Sequence, residues 1–164
     1  MPASSRRSAA RYVLDQAGGN VALDLFVLDQ HLGSFLARAF EGSGVTPSQY
    51  AVYAQLLVGS RTPGELCETL GLRPPTLSGY LTAMDARGHL TRSRSEHDRR
   101  STTLSLTSSG REQARQAQAR MRRAVTVLHD QIGGPSTLES VRATLGRLDA
   151  AVTSAEAELG SSRA

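Results

Sequence analysis

The chain has 164 residues, a length typical of one compact domain with an appended element. Its single cysteine excludes a disulfide framework and any metal site built from several cysteines. No apolar run reaches the roughly 18 residues that a membrane-spanning helix needs, and no apolar segment follows the basic stretch at 1–11, as a signal peptide would require. We therefore expect a cytoplasmic protein without membrane contact that begins with a flexible basic N-terminus at 1–19.

The positive charge is concentrated in one segment. All 19 basic residues are arginine and 15 residues are acidic, which gives a net charge of +4. Ten of the arginines fall within 87–123 together with three acidic residues, so this block alone carries +7. Such a block is typical of a surface that binds a polyanion, but a solvated helix face can have the same composition.

Residue patterns predict where several helices begin. Apolar residues recur every three or four positions over 20–41 and predict an amphipathic helix. Thr46 and Gln49 frame a proline as a capping box, and Thr62 and Glu65 repeat this pattern. These signals predict a helix from 47 to about 58 and a shorter one that ends near Gly71. Two prolines at 74–75 open a fourth helix, which ends at Gly88.

The segment after this helix has the pattern of a β-hairpin. The stretches 90–95 and 102–106 are short and rich in Thr and Ser, and the second alternates polar and apolar residues. The charged stretch 96–101 joins them and predicts a polar, basic tip. Thr107 then caps a long helix to about Ile132.

The last helix carries an uninterrupted apolar seam. Ser136 and Glu139 form a capping box that predicts its start. The apolar positions then follow spacings of three and four, as in a helix–helix seam: Leu138, Val141, Leu145, Leu148, Val152, Ala155 and Leu159. We interpret the seam as a subunit interface; packing against another helix of the same chain is the alternative.

These elements predict a mainly α fold with a small β-hairpin (α+β), arranged as a winged helix-turn-helix. We place the winged helix-turn-helix lobe at 46–106. The helical segments at 20–45 and 107–164 flank it and are assigned to dimerisation.

The third helix of the lobe has the side chains that a major-groove helix needs. Its predicted outer face is small, polar and free of acids, which permits close approach to base edges and phosphates; an ordinary solvated face is the alternative. Arginines surround the hairpin, and guanidinium groups suit a narrow minor groove and bidentate phosphate contacts. The candidate DNA-binding residues are Arg73, Thr76, Ser78, Gly79, Thr82, Arg92, Arg94, Arg99 and Arg100. Asp98 is interpreted as a brace that orients a neighbouring arginine.

Four stretches resemble the MarR family of transcriptional regulators. Residues 98–110 are similar to the family's wing signature, D-x-R followed after five residues by L-T-x-x-G. Residues 46–56 resemble T-P-x-Q-x-x-V-L-x-x-L, residues 64–72 resemble G-E-L-A-x-x-L-G-L, and residues 76–88 resemble T-V-S-R-L-V-D-R-L-E-x-x-G. The four occur in the family's order and cover 46–110.

The resemblance implies a homodimer that binds pseudo-palindromic duplex DNA and acts most often as a repressor. It implies base or phosphate contacts for Thr76 and Ser78, a minor-groove position for Arg100, and a wing-bracing role for Asp98. Many members also release DNA when they bind a small phenolic or lipophilic ligand. Gly79 stands where many members carry arginine, so base specificity cannot be copied from relatives.

Three modes of sensing follow from the resemblance. For an organic effector, the candidate pocket residues are His31, Phe35, Tyr50 and Tyr53, although aromatic residues at helical spacing are more often part of a core. Redox sensing is disfavoured because Cys67 occupies a position expected to be buried between helices, where a thiol is inert. Metal control is disfavoured because the four histidines show no ligand spacing, so no metal site and no cofactor are expected.

The sequence therefore predicts a sequence-specific DNA-binding regulator, with a repressor released by a small organic ligand as the favoured form. The alternatives are a winged-helix dimer that acts through protein or RNA, and a redox- or metal-responsive regulator of the same fold. An enzyme is not expected, since the chain contains no H-E-x-x-H, P-loop or G-x-S-x-G motif.

Overall fold

The computed structural model of the chain describes residues 19–94 and 102–161. It divides into two compact units, one ending at Gln118 and the other beginning at Ala119. Within the described ranges, no helix is both long and apolar enough to cross a membrane. The elements are α1 (Val21–Ala39), α2 (Pro47–Val58), α3 (Pro63–Leu70), α4 (Pro74–Ala86), β1 (Leu90–Arg94), β2 (Thr102–Leu106), α5 (Ser108–Ile132) and α6 (Pro135–Ser161).

This element order confirms the predicted fold class, a mainly α chain with one small hairpin. The predicted boundaries of the DNA-binding lobe and of the dimerisation region stay predictions. The predicted flexible N-terminus lies outside the described residues except for its last position, residue 19.

Local capping sets the starts of α2 and α3. The Thr46 hydroxyl accepts a hydrogen bond from the Gln49 N–H at 3.1 Å, and the Gln49 side chain accepts one from the Thr46 N–H at 3.3 Å. The same reciprocal bonds join Thr62 and Glu65, at 3.2 and 2.6 Å. The bonds from Thr62 also lower the pKa of the Glu65 carboxyl. Caps of this type stabilise a helix by about 1 kcal/mol, and both predicted starts are confirmed.

A tight turn separates α3 from α4. Gly71 has a φ of 62°, in the left-handed region that favours glycine. The Leu72 N–H then donates to the Cys67 carbonyl at 3.0 Å, which satisfies the end of α3. Because α4 begins at Pro74, the two helices form a helix-turn-helix pair.

The core of the first unit lies between α2, α3, α4, the hairpin and the start of α5. Each of these elements contributes side chains from one face, as its periodicity predicts. The buried apolar residues of this unit are Phe40, Val45, Tyr50, Val52, Tyr53, Leu56, Leu66, Leu77, Leu81, Met84, Leu104, Leu106, Ala114 and Ala117.

The hairpin is pinned at its root by a third segment of chain. β1 and β2 pair antiparallel, from Leu90 opposite Leu106 to Arg94 opposite Thr102. Arg61 forms an additional bridge to Leu104: the Arg61 N–H donates to the Leu104 carbonyl at 3.1 Å, and the Leu104 N–H donates back at 2.8 Å. The α2–α3 connection therefore holds the fully buried Leu104 in place. The sequence pattern did not predict this bridge.

The predicted N-cap of α6, Ser136, is wrong by two residues, and so is the helix start that it implies. The helix begins at Pro135, and the Gly134 carbonyl accepts the first bonds, from the N–H groups of Thr137 and Leu138 at 3.0 and 3.2 Å. Gly134 therefore occupies the position predicted for Ser136. Proline suits the first helical turn because its missing N–H has no helical partner there.

The start of α5 packs closely on the turn before β1. The Thr107 N–H donates to the His89 carbonyl at 3.1 Å, and the Thr107 hydroxyl donates to the Gly88 carbonyl at 2.8 Å. A Cβ atom at Gly110 would lie 3.0 Å from the His89 carbonyl carbon and closer still to its oxygen. Only glycine allows this approach without a shift of backbone.

We expect Gly110→Ala to lower the free energy of unfolding by about 1–3 kcal/mol, because the added methyl group forces rigid backbone apart. Gly79→Ala is the matched control: Gly79 lies within α4 with nothing near its missing Cβ, so alanine should stabilise the helix by about 0.5–1 kcal/mol. Urea unfolding of the two variants measures both effects. Equal stability of Gly110→Ala and the wild type would refute the close contact.

Candidate nucleic-acid interface

Helix α4 has one buried face and one exposed face. Leu77, Leu81 and Met84 point into the core and are at most 5% exposed. The opposite face carries the residues proposed from the sequence, all of them exposed: Arg73 at the N-cap and the small residues Thr76, Ser78, Gly79 and Thr82. The Thr82 hydroxyl donates to the Ser78 carbonyl at 2.9 Å. This face therefore combines hydroxyl groups with a flat surface at Gly79.

The electrostatics at the start of α4 favour an anion. Arg73 is the N-cap residue, and the first turn contains no acidic residue. The positive end of the helix dipole and the Arg73 guanidinium therefore lie together. A phosphate group is the natural ligand of such a helix end.

Arg92, predicted as a DNA contact, forms an ion pair with Asp85. The pair joins the last turn of α4 to strand β1, and both side chains remain partly exposed, at 46% and 39%. Pairs as exposed as this contribute about 0–1 kcal/mol, so the main effect is to neutralise Asp85. The pair was not predicted from the sequence, although Asp85 is the one acidic residue in α4.

Arg111 is engaged at the other end of the hairpin. Its guanidinium donates to the Leu106 carbonyl at 2.6 Å, so it ties α5 to the end of β2. Arg111, an arginine of the basic block, therefore makes a structural contact with the hairpin.

Three residues predicted for the wing tip, Asp98, Arg99 and Arg100, lie outside the described residues, as does the side chain of Arg94. The backbone of Arg94 pairs with Thr102 at the last described step of the hairpin. The proposed roles of these four residues stay predictions.

A cleft of about 370 Å³ lies between α3, α4 and β1. Two prolines and two leucines contribute apolar side chains to its lining, and Ser78, Thr82 and Arg92 supply the polar groups. The cleft therefore reaches the exposed face of α4. Cys67 also lines it and is half-exposed, so the expectation that this thiol is enclosed between helices is wrong.

The four candidate effector residues differ in their surroundings. His31 is exposed on α1 and Phe35 is half-buried. Tyr50 packs against Phe40 with ring centroids 5.5 Å apart, and Tyr53 is fully buried. The two tyrosines therefore belong to the core of the lobe.

Tyr53 has a polar partner that the sequence did not reveal. Its hydroxyl lies 2.7 Å from Nδ1 of His89. Burial raises the pKa of the Tyr53 phenol, and a hydrogen bond from Arg87 opposes this shift. Burial, assisted by the positive charge of Arg87, lowers the pKa of His89. No group of three or more His, Cys, Asp or Glu side chains that could hold a metal occurs in the described part of the chain.

The predicted seam on α6, in the second unit, is open to solvent. None of the described residues of α6 is buried. Val141, Leu145, Val152 and Leu159 are 37–73% exposed, while Leu138 and Leu148 are half-buried. An exposed apolar stripe of this length is typical of an interaction surface.

Comparisons with known proteins agree with this architecture. A profile of the MarR family matches residues 43–101. The HTH-type transcriptional repressor MdtR of Bacillus subtilis is 30% identical over 97 residues, which are 58% of this chain and 63% of MdtR. The match thus spans less than two thirds of that relative.

Two solved structures extend the similarity beyond the lobe. The transcriptional repressor CouR, bound to a 23-mer DNA duplex, is 25% identical with a TM-score of 0.72, over 79% of this chain and 92% of CouR. BpsR of Bordetella bronchiseptica, a protein whose DNA binding is regulated by 6-hydroxynicotinic acid, is 19% identical with a TM-score of 0.70, over 82% of this chain and 96% of BpsR. Over residues 43–101 the chain is therefore similar to the MarR family, and its winged helix-turn-helix architecture is similar to that of the solved regulators.

Proposed function

We propose that the chain is a sequence-specific, double-stranded-DNA-binding transcriptional regulator that acts as a repressor. The observation that carries the proposal is the exposed face of α4, where small uncharged side chains follow an acid-free helix start within the lobe that matches the family. In this proposal α4 enters the major groove and its hydroxyl groups contact base edges or phosphates.

The charges around α4 support a polyanionic partner. The ion pair of Asp85 with Arg92 removes the one negative charge that α4 would present to phosphates. Arg73 adds a cation at the start of the helix. We assign Arg94, Arg99 and Arg100 to the neighbouring minor groove, with Asp98 as their brace.

Binding to a protein or to RNA through the same surface is the rival function. Duplex DNA binding with phosphate contacts has a steep salt dependence, because each neutralised phosphate releases counterions. If about 6–10 phosphates are contacted, the slope of log K against log salt is roughly −5 to −9. A shallow slope with duplex DNA would favour the rival.

We expect Thr82→Ala to weaken binding to duplexes selected from a random library by about 1–3 kcal/mol, because a hydroxyl contact in the groove is lost. Replacing both Arg99 and Arg100 by alanine should weaken binding to all duplexes and make the salt slope shallower. Fluorescence anisotropy at several salt concentrations measures both changes.

Thr153→Ala is the matched control for Thr82→Ala. Thr153 is an exposed helical threonine whose hydroxyl donates to the Asp149 carbonyl at 3.0 Å, four residues back, as that of Thr82 does to Ser78. Its removal should leave affinity unchanged. Equal losses of DNA affinity in Thr82→Ala and Thr153→Ala would refute the assignment of α4. Full affinity of the double arginine variant would refute the wing assignment.

We also propose that the protein is a homodimer joined in part through the α6 seam. The support is the exposure of the apolar stripe from Val141 to Leu159 in a helix without a buried residue. Two copies could cover each other's stripes, with equivalent surfaces in contact. A dimer would also suit a pseudo-palindromic operator, with recognition helices about 34 Å apart.

Val152→Glu should shift the protein to monomer, because a carboxylate would be buried in the seam without a partner. The loss of dimer affinity should exceed about tenfold, equivalent to roughly 1.4 kcal/mol. Thr153→Glu places the same charge one position away from the stripe and should leave the dimer intact. Sedimentation equilibrium distinguishes these outcomes, and an unchanged dimer in Val152→Glu would exclude the seam as the interface.

We further propose that a small organic ligand releases the protein from DNA, with two candidate sites. One is formed by His31, Phe35, Tyr50 and Tyr53; the burial of the two tyrosines makes it the weaker candidate. The other is the cleft beside α4, where apolar walls surround one guanidinium and two hydroxyl groups. Its chemistry fits a small aromatic acid, the class to which the effector of BpsR belongs. A ligand there would compete with DNA for Ser78 and Thr82.

Hydroxybenzoates and 6-hydroxynicotinic acid should raise the melting temperature and release bound DNA, because a ligand of the folded state stabilises it. For the cleft, Arg92→Ala should abolish the thermal shift, a readout that needs no DNA. Arg147→Ala, which removes an exposed arginine on α6, should retain it. A thermal shift that survives in Arg92→Ala would move the site away from the cleft.

A further inference from the structure

His89 lies where α2, α4, β1 and the start of α5 meet. It follows α4 and the left-handed Gly88, and it precedes β1. Its N–H donates to the Met84 carbonyl at 3.0 Å, and its carbonyl accepts from the Thr107 N–H at 3.1 Å. The missing side chain of Gly110 leaves room for that carbonyl. The backbone of His89 is therefore fixed by α4 on one side and by α5 on the other.

The imidazole ring connects this junction to α2. Its Nδ1 atom lies 2.7 Å from the hydroxyl of Tyr53, and the two rings meet edge to face with centroids 5.9 Å apart. Tyr53 is fully buried, so its hydroxyl depends on protein partners. The contact spans 36 residues of sequence, and it is a side-chain hydrogen bond between α2 and the root of the wing.

The neighbouring donors determine the protonation state of the ring. The charged group that faces the pair is Arg87, which hydrogen bonds to Tyr53; α2 contributes the Tyr53 phenol, and α5 contributes Gly110, which is uncharged. A guanidinium can only donate, so Arg87 beside the Tyr53 oxygen favours the arrangement in which the Tyr53 O–H donates to Nδ1. In that arrangement Nδ1 carries no proton, and the ring is neutral with its proton on Nε2.

We propose that neutral His89 is a positioning residue that holds the wing root and α4 against α2, and that its protonation weakens DNA binding by releasing the Tyr53 contact. A protonated ring would turn a second donor toward the Tyr53 oxygen and leave the O–H without an acceptor. The DNA-binding part of this proposal rests on the proposed function; the part that concerns the fold does not.

The direction of the pH effect follows from the lowered pKa of His89. In the unfolded chain the ring has its ordinary pKa of about 6.5 and binds a proton at higher pH than in the fold. The unfolded state therefore holds more protons in the interval below about pH 6.5, and folding stability falls as the pH falls through that interval. Above it the full contribution of the neutral ring is present.

The test combines an NMR titration, urea unfolding and operator binding between about pH 7.5 and pH 5, on either side of the ordinary histidine pKa. In the full-length wild type, the His89 ring should titrate below its ordinary pKa, and Tyr53→Phe should move that titration upward. Operator affinity of the wild type should fall at the acidic end by about threefold to tenfold, since one pKa unit between two states corresponds to a factor of ten.

Two variants separate positioning from mere packing. In His89→Asn the amide oxygen can replace Nδ1 as an acceptor but does not titrate, so this variant should bind at neutral pH and keep its affinity and stability at the acidic end. His129→Asn removes an exposed histidine of α5 and should retain the acid sensitivity of the wild type.

The outcomes are distinguishable. A His89 ring that titrates at or above its ordinary pKa would overturn the proposal, and so would identical pH profiles of stability for the wild type and His89→Asn. The wild-type titration decides the matter by itself if His89→Asn fails to fold. Failure to bind DNA at every pH, together with the expected titration and unfolding profiles, would refute the proposed function and leave the positioning role of His89 intact.

Discussion

The DNA-binding lobe depends on the close approach of the α5 start to the turn before β1. At this point the His89 carbonyl lies against Gly110 and accepts the Thr107 N–H, while the Thr107 hydroxyl bonds the Gly88 carbonyl. The contact fixes the start of β1 and the end of β2, since β1 starts just after it and β2 ends just before it. The start of β1 is therefore fixed relative to α4 by backbone contacts, to which the Thr107 hydroxyl and the Arg92–Asp85 ion pair add.

Helix α4, which lies next to this contact, has one buried face and one exposed face. Its leucines and Met84 are buried at the spacing of one helix face, and burial of each such side chain contributes about 1.5–3 kcal/mol. The small residues opposite them contribute little to stability. The exposed face is thus free to be selected for contacts with a partner, and its composition is informative about function for that reason.

Charge compensation is the second theme of the lobe. Asp85 would oppose a polyanion, but Arg92 pairs with it across the gap between α4 and β1. Arg111 is likewise committed, to the Leu106 carbonyl. Arg92 and Arg111 thus make contacts within the fold, and a count of positive charge along the sequence does not reveal such contacts.

The features that could be predicted from the amino-acid sequence are local. The capping boxes at Thr46 and Thr62 act over three residues, and the hairpin pattern acts between neighbouring strands. Helix starts and fold class were therefore predictable. The wrong cap of α6 shows that the sequence pattern alone does not rank two competing local signals, Pro135 and Ser136. The exposed side of α4 was also predictable, because helical periodicity assigns faces.

Contacts between distant parts of the chain depend on tertiary packing and could not be predicted from the sequence. The bridge between Arg61 and Leu104 and the bond between Tyr53 and His89 join residues dozens of positions apart. The half-exposure of Cys67 likewise depends on how α3 packs beside α4. A sequence pattern records propensity and spacing along one element, whereas such contacts exist only after loop closure has brought separate elements together.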